Sequence, residues 1–429
     1  MSWSVINTAL PTIKIALGAS LLQLQWMMSV FGLAIVTSLV IMGRLADVYG
    51  KKRFYLLGLT SLSLSLIGSS LSPSPGWIIF FLTFSGLAGA IILPVSQSLL
   101  CWIYPESQRG KALGMWASSN GIGLALGPLI SGVVLEFLGW RWVFWVLLAV
   151  ALLSLIIVTL FVQETEKVGD ERIDWLGAGF LSGAIGAFVI AVNQSKTWPL
   201  SLTLGFFLLS AIFLALLLWY EKKPKFPIIR EDLLKNRSFL LASIAIFSLI
   251  FFVWASFFLL PLYFQTIQKF TPLQTGLTML FVTIPLALVS PYVGTLADRF
   301  GPKNLMALGS LFLLISVILQ MRTFNLSTSY FSIALATTCF GLGWAFLWGP
   351  STSVALSKVP TRTLGLASGT FVTFQEIGGT LGLAITVTVV RMEGEFLKGL
   401  HGGHLVLIAT TLAGLIASLL IKREIPQRD

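Results

Sequence analysis

Two stretches decide how this chain is read: Gly43-Arg-Leu-Ala-Asp47-Val-Tyr-Gly50-Lys51, continued by Lys52 and Arg53, and Gly294-Thr-Leu-Ala-Asp298-Arg-Phe-Gly301-Pro-Lys303. They lie 251 residues apart, and each follows a long apolar run. The same offset carries Gly127 onto Gly378, so the sequence predicts a repeat whose register persists along each half. Around these stretches the chain of 429 residues is 56% hydrophobic and only 10% charged, with a mean hydropathy of +0.91. A soluble domain carries about 25% charged residues. Disorder, collagen-like repeats and coiled coils each need a polar or repetitive chain, and are excluded. The apolar runs of about twenty residues are those of spanning helices, not the ten-residue alternation of a membrane barrel.

At about twenty apolar residues per span, helices are expected over 24–43, 54–72, 77–100, 110–134, 142–162, 175–194, 200–220, 239–263, 274–297, 304–321, 329–349, 364–390 and 404–421. A further apolar stretch at 2–13 ends at Lys14 and is too short to cross a core about 30 Å thick. Either the true start lies upstream of Met1 or the first helix is a stub; the basic flank of a signal peptide is missing. The expectation is an all-α integral membrane protein of fourteen spans, the first one truncated. An internal repeat in a membrane protein of this size marks many secondary transporters. Six spans need about 200 residues, so the 251-residue offset leaves room for an inserted helix pair. The division is then residues 1–163 as an N-terminal six-helix bundle and 164–236 as the inserted pair with a linker. Residues 237–429 form a C-terminal six-helix bundle with a tail.

Net charge is +11, yet the basic residues sit in short loops rather than on one nucleic-acid-binding face. Loops on the side of Arg44, Lys51, Lys52 and Arg53 hold 21 of the 28 lysines and arginines. The positive-inside rule makes that side, and the C-terminus, cytoplasmic. Cys101 and Cys339 lie in or beside apolar segments and read as packing residues without a disulfide.

The motifs together resemble a known family. Gly43-x-Leu-Ala-Asp47-x-x-Gly50-Lys51-Lys52-Arg53 matches the signature loop of the major facilitator superfamily, and Gly123-x-x-x-Gly127-Pro128-x-x-x-Gly132 resembles its antiporter motif. Val5-Ile-Asn7-Thr-Ala-Leu-Pro11, Gln25-Trp26, Trp140-Arg141-Trp142-x-Phe144 and Gly378-Gly379-x-x-Gly382 resemble the fourteen-span drug/proton antiporter branch. The resemblance implies a monomeric, multi-pass transporter of the cell (inner) membrane, exporting small hydrophobic or cationic compounds. A proton gradient is its energy source and no cofactor is needed. It also implies that Asp47 latches the cytoplasmic side during alternating access, with Gly294, Asp298 and Gly301 as the second copy; the plainer reading is a turn whose charges set topology. Gly123, Gly127, Pro128 and Gly132 would seal a helix interface, small residues allowing close approach and proline a bend.

Glu376 stands alone among the 17 acidic residues in lying inside a span. A charge there costs about 2.5–3.5 kcal/mol on insertion scales, so such a group is usually inward-facing and functional. Gly369, Thr373, Glu376 and Thr380 recur at helical spacing as one small or polar stripe. Proton carriage competes here with a structural, hydrogen-bonded glutamic acid. The chain departs from the family at three points: Ser2 replaces an Asp, Leu82 an Arg, and Gln375-Glu376 an Arg-Gln. Relocated coupling and lost coupling both fit these changes.

Substrate contacts are expected from Asn7, Trp26, Trp116, Asn120, Trp254, Phe258, Gln265, Trp344 and Trp348. An aromatic cleft with few charges suits hydrophobic or cationic molecules, although tryptophans also anchor helices at membrane interfaces. His401 and His404 fall in a glycine-rich turn between spans and lack a third ligand for a metal. No phosphate-binding Gly-x-x-x-x-Gly-Lys-Ser/Thr loop occurs, against ATP-driven transport. One buried glutamate does not make an enzyme site. An uncoupled facilitator, a metabolite exporter and an inactive transporter-like chain remain as alternatives.

Overall fold

The computed structural model describes residues 2–103, 109–164, 174–220, 235–356 and 364–421. These form α-helices throughout, which is what a bilayer requires: with no water to satisfy backbone groups, each segment must satisfy its own. In chain order they are α1 (Ser2–Leu17), α2 (Leu21–Tyr49), α3 (Lys51–Ser70), α4 (Pro75–Ile103), α5 (Arg109–Phe137), α6 (Trp140–Phe161) and α7 (Trp175–Gln194). There follow α8 (Leu200–Tyr220), α9 (Arg237–Thr266), α10 (Pro272–Phe300), α11 (Pro302–Thr323), α12 (Tyr330–Leu356), α13 (Leu364–Met392) and α14 (Phe396–Leu420). Eleven are long and apolar enough to cross a membrane, and the protein is a multi-pass membrane protein. The exceptions are α1, α3 and α5. Serines and a basic first turn dilute α3, and only Ile122–Phe137 of α5 is a short apolar helix. At 16 residues α1 spans about 24 Å. Its Val5, Ile6, Ala9, Leu10 and Ile13 are nevertheless buried.

The repeat is visible in detail. Ser20 and Gln23 make a capping box at the start of α2; Thr271 and Gln274 make the same box at the start of α10. Both helices then run 29 residues and stop at a glycine of positive φ, Gly50 at +107° and Gly301 at +84°. Only glycine adopts that conformation without strain, so each signature loop is a one-residue break between helices. Beyond α11 the 251-residue register fails. Here α11 is 22 residues long against 20 for α3, and residues 324–329 join it to α12 where 71–74 suffice earlier. The positive-φ glycines that follow, Gly139 and Gly394, are accordingly 255 apart. Gly127 therefore corresponds to Gly382 rather than to Gly378.

The chain divides into two compact units. One comprises Met1–Pro11, Gly121–Glu136 and Ile229–Asp429; the other comprises Thr12–Asn120 and Phe137–Ile228. In the first, α9 is the core: nine-tenths of its apolar stretch is buried, packed by α12, α13 and α14. In the second, α4 packs on α2 and α3, and α6 on α3, while the inserted pair α7 and α8 docks through α7 on α2. That docking is polar. Gln25 Nε2 donates to Asn193 Oδ1 at 2.8 Å, and Ser182 Oγ donates to the Thr37 carbonyl at 3.0 Å. Between lipid-embedded helices such bonds supply the attraction that apolar contact does not. Replacing Gln25 with Leu is expected to cost about 1 kcal/mol, measured as a lower thermal unfolding midpoint of the purified protein, whereas Ser182→Ala, which removes a single hydroxyl, should cost less.

Candidate functional site

In α13, Glu376 is buried, 8% exposed, and makes no hydrogen bond or ion pair with any described residue. Thr373 lies a turn before it, its hydroxyl turned back on the Gly369 carbonyl at 2.9 Å. Thr380 lies a turn after it with an unpartnered, buried hydroxyl. The stripe read from sequence is thus a polar strip within a buried helix. On the same helix, glycines bring α13 onto α9: Gly378 onto the Phe247 carbonyl, Gly382 onto the Phe251 carbonyl, and Gly379 onto the face of Trp254. A methyl group at Gly379 would fall 2.6 Å from the indole, so the absence of a side chain sets where Trp254 lies.

From Trp254 the aromatic contacts continue. Trp3 of α1 lies 5.2 Å from Trp254 and 5.1 Å from Phe257; Phe257 meets Trp344 at 5.8 Å, and Trp344 stacks on Trp348 at 5.6 Å and 7°. Phe340 closes the group, 6.0 Å from both Phe257 and Trp344. Several polar atoms in this group are buried and unpartnered: the indole N–H groups of Trp3 and Trp344 and the Asn7 side-chain oxygen. The Asn7 amide donates to the Trp3 carbonyl at 2.9 Å. Buried polar groups ordinarily find partners. The group thus combines ring faces with two unpartnered donors and one unpartnered acceptor.

The structure thus gathers Asn7, Trp254, Trp344, Trp348 and Glu376 within one unit. Gln265 is partly engaged, its amide donating to the Thr8 carbonyl at 3.2 Å. Phe258 is buried in α9 apart from the stacked rings. Trp26 is half-buried on α2, in the other unit. The side chains of Trp116 and Asn120 lie outside the described residues. Sequence reasoning missed Trp3 and Phe257; the one available signal was that Trp3 precedes Asn7 by one helical turn. At the departures from the family pattern, Leu82 is fully buried in α4 and the Ser2 side chain lies outside the described residues.

The antiporter motif also packs as a set of backbone contacts. Gly127 abuts Ser4 of α1, and the Ser131 hydroxyl donates to the Val5 carbonyl at 2.9 Å. Gly132 lies against Pro272 and Gly276 of α10, while Gly276 faces the Pro128 carbonyl; Gly123 is half-buried. At the signature loop, Glu164 receives the Lys52 amide at 3.2 Å and pairs with Arg53 at 3.4 Å, and a side chain at Gly50 would strike it. The Lys52 ammonium donates to the Thr159 carbonyl at 3.0 Å, fastening the start of α3 to the end of α6. Gly43 meets Pro94 of α4 at ordinary contact distance. The side chains of Asp47 and Asp298 and the surroundings of Gly294 lie outside the described residues, and Lys51 begins α3.

Both histidines correct the sequence reading. They lie inside α14, not in a turn, because the helix starts at Phe396 and runs through the glycines. His404 is buried and lines a small pocket with Ser256, Tyr263, Gln320 and Phe324. Among the described residues no cluster of three His, Cys, Asp or Glu side chains is placed to hold a metal. Cys339 is a buried free thiol.

Glycine-packed repeats and an intramembrane carboxylate in a helical multi-pass protein are features of many secondary transporters. The profile of the Major Facilitator Superfamily matches residues 1–383, and the chain belongs to that superfamily. It is 29% identical over 389 residues to the multidrug resistance protein Stp of Mycobacterium tuberculosis, covering 90% of this chain and 72% of that one. It is 27% identical over 398 residues to multidrug resistance protein 3 of Bacillus subtilis, covering 91% and 76%. A crystal structure of the peptide transporter POT in complex with sulfate superposes with a TM-score of 0.72 at 15% identity, covering 97% of this chain and 92% of that one. The chain is a transporter and not an enzyme.

Gly379→Ala is expected to displace the Trp254 indole and change intrinsic tryptophan fluorescence. Gly369→Ala, at a position with open space around it, should leave the spectrum unchanged.

Proposed function

We propose that the protein is a proton-coupled exporter of small hydrophobic or cationic compounds working by alternating access, with Glu376 as the titrating group. The observation that carries this reading is a buried carboxylate without a described partner, on the helix whose Gly379 seats the aromatic group of Trp3, Trp254, Phe257 and Trp344. A lone carboxylate in hydrocarbon is most stable when neutral or when facing a cation. Exchange between a proton and a cationic substrate meets that requirement at every stage of the cycle. The multidrug resistance relatives support the substrate class.

In this reading residues 1–163 and 237–429 are the two six-helix bundles that rock against each other, and 164–236 is the inserted pair with its linker. A cytoplasmic C-terminus follows from the distribution of lysine and arginine, inner-membrane residence follows from the family resemblance, and the protein acts as a monomer with no cofactor. A second reading, an uncoupled facilitator or metabolite exporter, draws on Ser2 and Leu82 standing where the branch carries an acid and a base.

The test uses everted membrane vesicles with a respiration-generated proton gradient and a panel of hydrophobic cations. Addition of a substrate should partly collapse the gradient in wild type and not in Glu376→Gln. Collapse in both would move coupling to another group. Uptake without collapse in wild type would favour the facilitator.

A further inference from the structure

The first turn of α10 has a backbone account that almost closes on itself. Pro272 has no N–H to satisfy, the Gln274 amide donates to the Thr271 hydroxyl at 3.2 Å, and the Thr275 amide donates to the Thr271 carbonyl at 2.9 Å. The Gln274 side chain in turn accepts from the Thr271 amide at 3.0 Å. One donor is left over, the Leu273 N–H. It is satisfied from another helix: Glu136, in the last turn of α5, accepts it through Oε2 at 3.3 Å. A carboxylate there faces the positive end of the α10 dipole.

The surrounding packing makes this contact more than a cap. Along the seam between α5 and α10 the backbones themselves meet. A methyl group on Gly276 would lie 2.5 Å from the Pro128 carbonyl oxygen, and one on Gly132 would lie 2.8 Å from that of Pro272. Glycines at this seam let the two backbones approach closely, and polar contacts add to that association. Nearby, Ser131 of α5 bonds the Val5 carbonyl and Gln265 of α9 bonds the Thr8 carbonyl, both on α1, while Glu136 bonds α10 itself. Among these, Glu136 alone brings a full charge. It belongs to the first repeat and the helix that donates to it belongs to the second, so the contact joins the repeats.

We propose that Glu136 is a positioning residue that locks the α5–α10 seam by capping the N-terminus of α10, and that this lock opens whenever the two repeats part at that end. The contact is formed within one compact unit and is independent of which group carries protons; its test reads seam opening rather than transport, so it stands or fails apart from the coupling at Glu376.

The test uses the full chain in proteoliposomes, with Cys101→Ala and Cys339→Ala removing the native thiols and Ser131→Cys as a reporter buried beside Gly132. Labelling by a water-soluble maleimide should rise about fivefold in Glu136→Ala and about twofold in Glu136→Gln, which keeps an acceptor oxygen but loses the charge. Glu395→Ala, removing an exposed acid paired with Lys398, should leave the rate unchanged. Size-exclusion profiles and unfolding midpoints establish that each variant is folded. Where Ser131→Cys itself fails that check, Val134→Cys, also buried, serves as the reporter. A rate in Glu136→Ala within twofold of wild type, or an equal rise in Glu395→Ala, overturns the proposal.

Discussion

A hydrocarbon medium offers no hydrogen-bond partner and little hydrophobic gain from bringing one apolar helix against another, and every feature of this protein answers to that constraint. The backbone pairs with itself, so the described residues are helical. Helices then associate where something other than apolar area attracts them. In this chain that is either close backbone contact at glycine, as where α13 meets α9 and α5 meets α10, or a side-chain hydrogen bond, as where α7 meets α2. The same medium gives Glu376 its meaning. A carboxylate costs little in a soluble protein's surface loop; within a span it persists where it has a task.

The two repeats show how one local plan serves different ends. Their second helices are cut to the same length by the same devices, a capping box at the start and a glycine of positive φ at the end. Their first helices have diverged: α9 has 30 residues and is the most buried helix, while α1 has 16. Their fifth helices carry glycines that face the first helix of the same repeat, Gly127 against α1 and Gly382 against α9. On α13 this pairing also positions Trp254, which ties the packing glycines to the aromatic group of Trp3, Trp254, Phe257 and Trp344. On α5 it continues into the contact with α10. Packing and candidate site are therefore not separable in this protein: the residues that allow close approach are those that orient the rings.

Much of this was legible in the chain itself. Long apolar runs fixed the class, because few charges are tolerated in a span. The signature loops exposed the repeat, because a one-residue helix break needs glycine in each copy. Glu376 could be singled out because an isolated acid in an apolar run has few explanations. The helix ends at α14 were misplaced, since His401 and His404 with their glycines read as a turn although the membrane keeps such a segment helical. The register beyond α11 was also misplaced, because a longer helix and a longer turn leave no mark in the motifs on either side.

Spacing along the chain determined which residues share a helix face, because helical periodicity is local. It set Thr373, Glu376 and Thr380 on one strip and Trp344 beside Trp348. Only the tertiary structure decided which faces meet. Trp3 joins Trp254, Gln265 turns to Thr8, and Glu136 reaches Leu273 across 137 residues of chain. Such contacts depend on the rotation and tilt of whole helices, which glycine seams permit and a few buried hydrogen bonds select, and no local pattern encodes them.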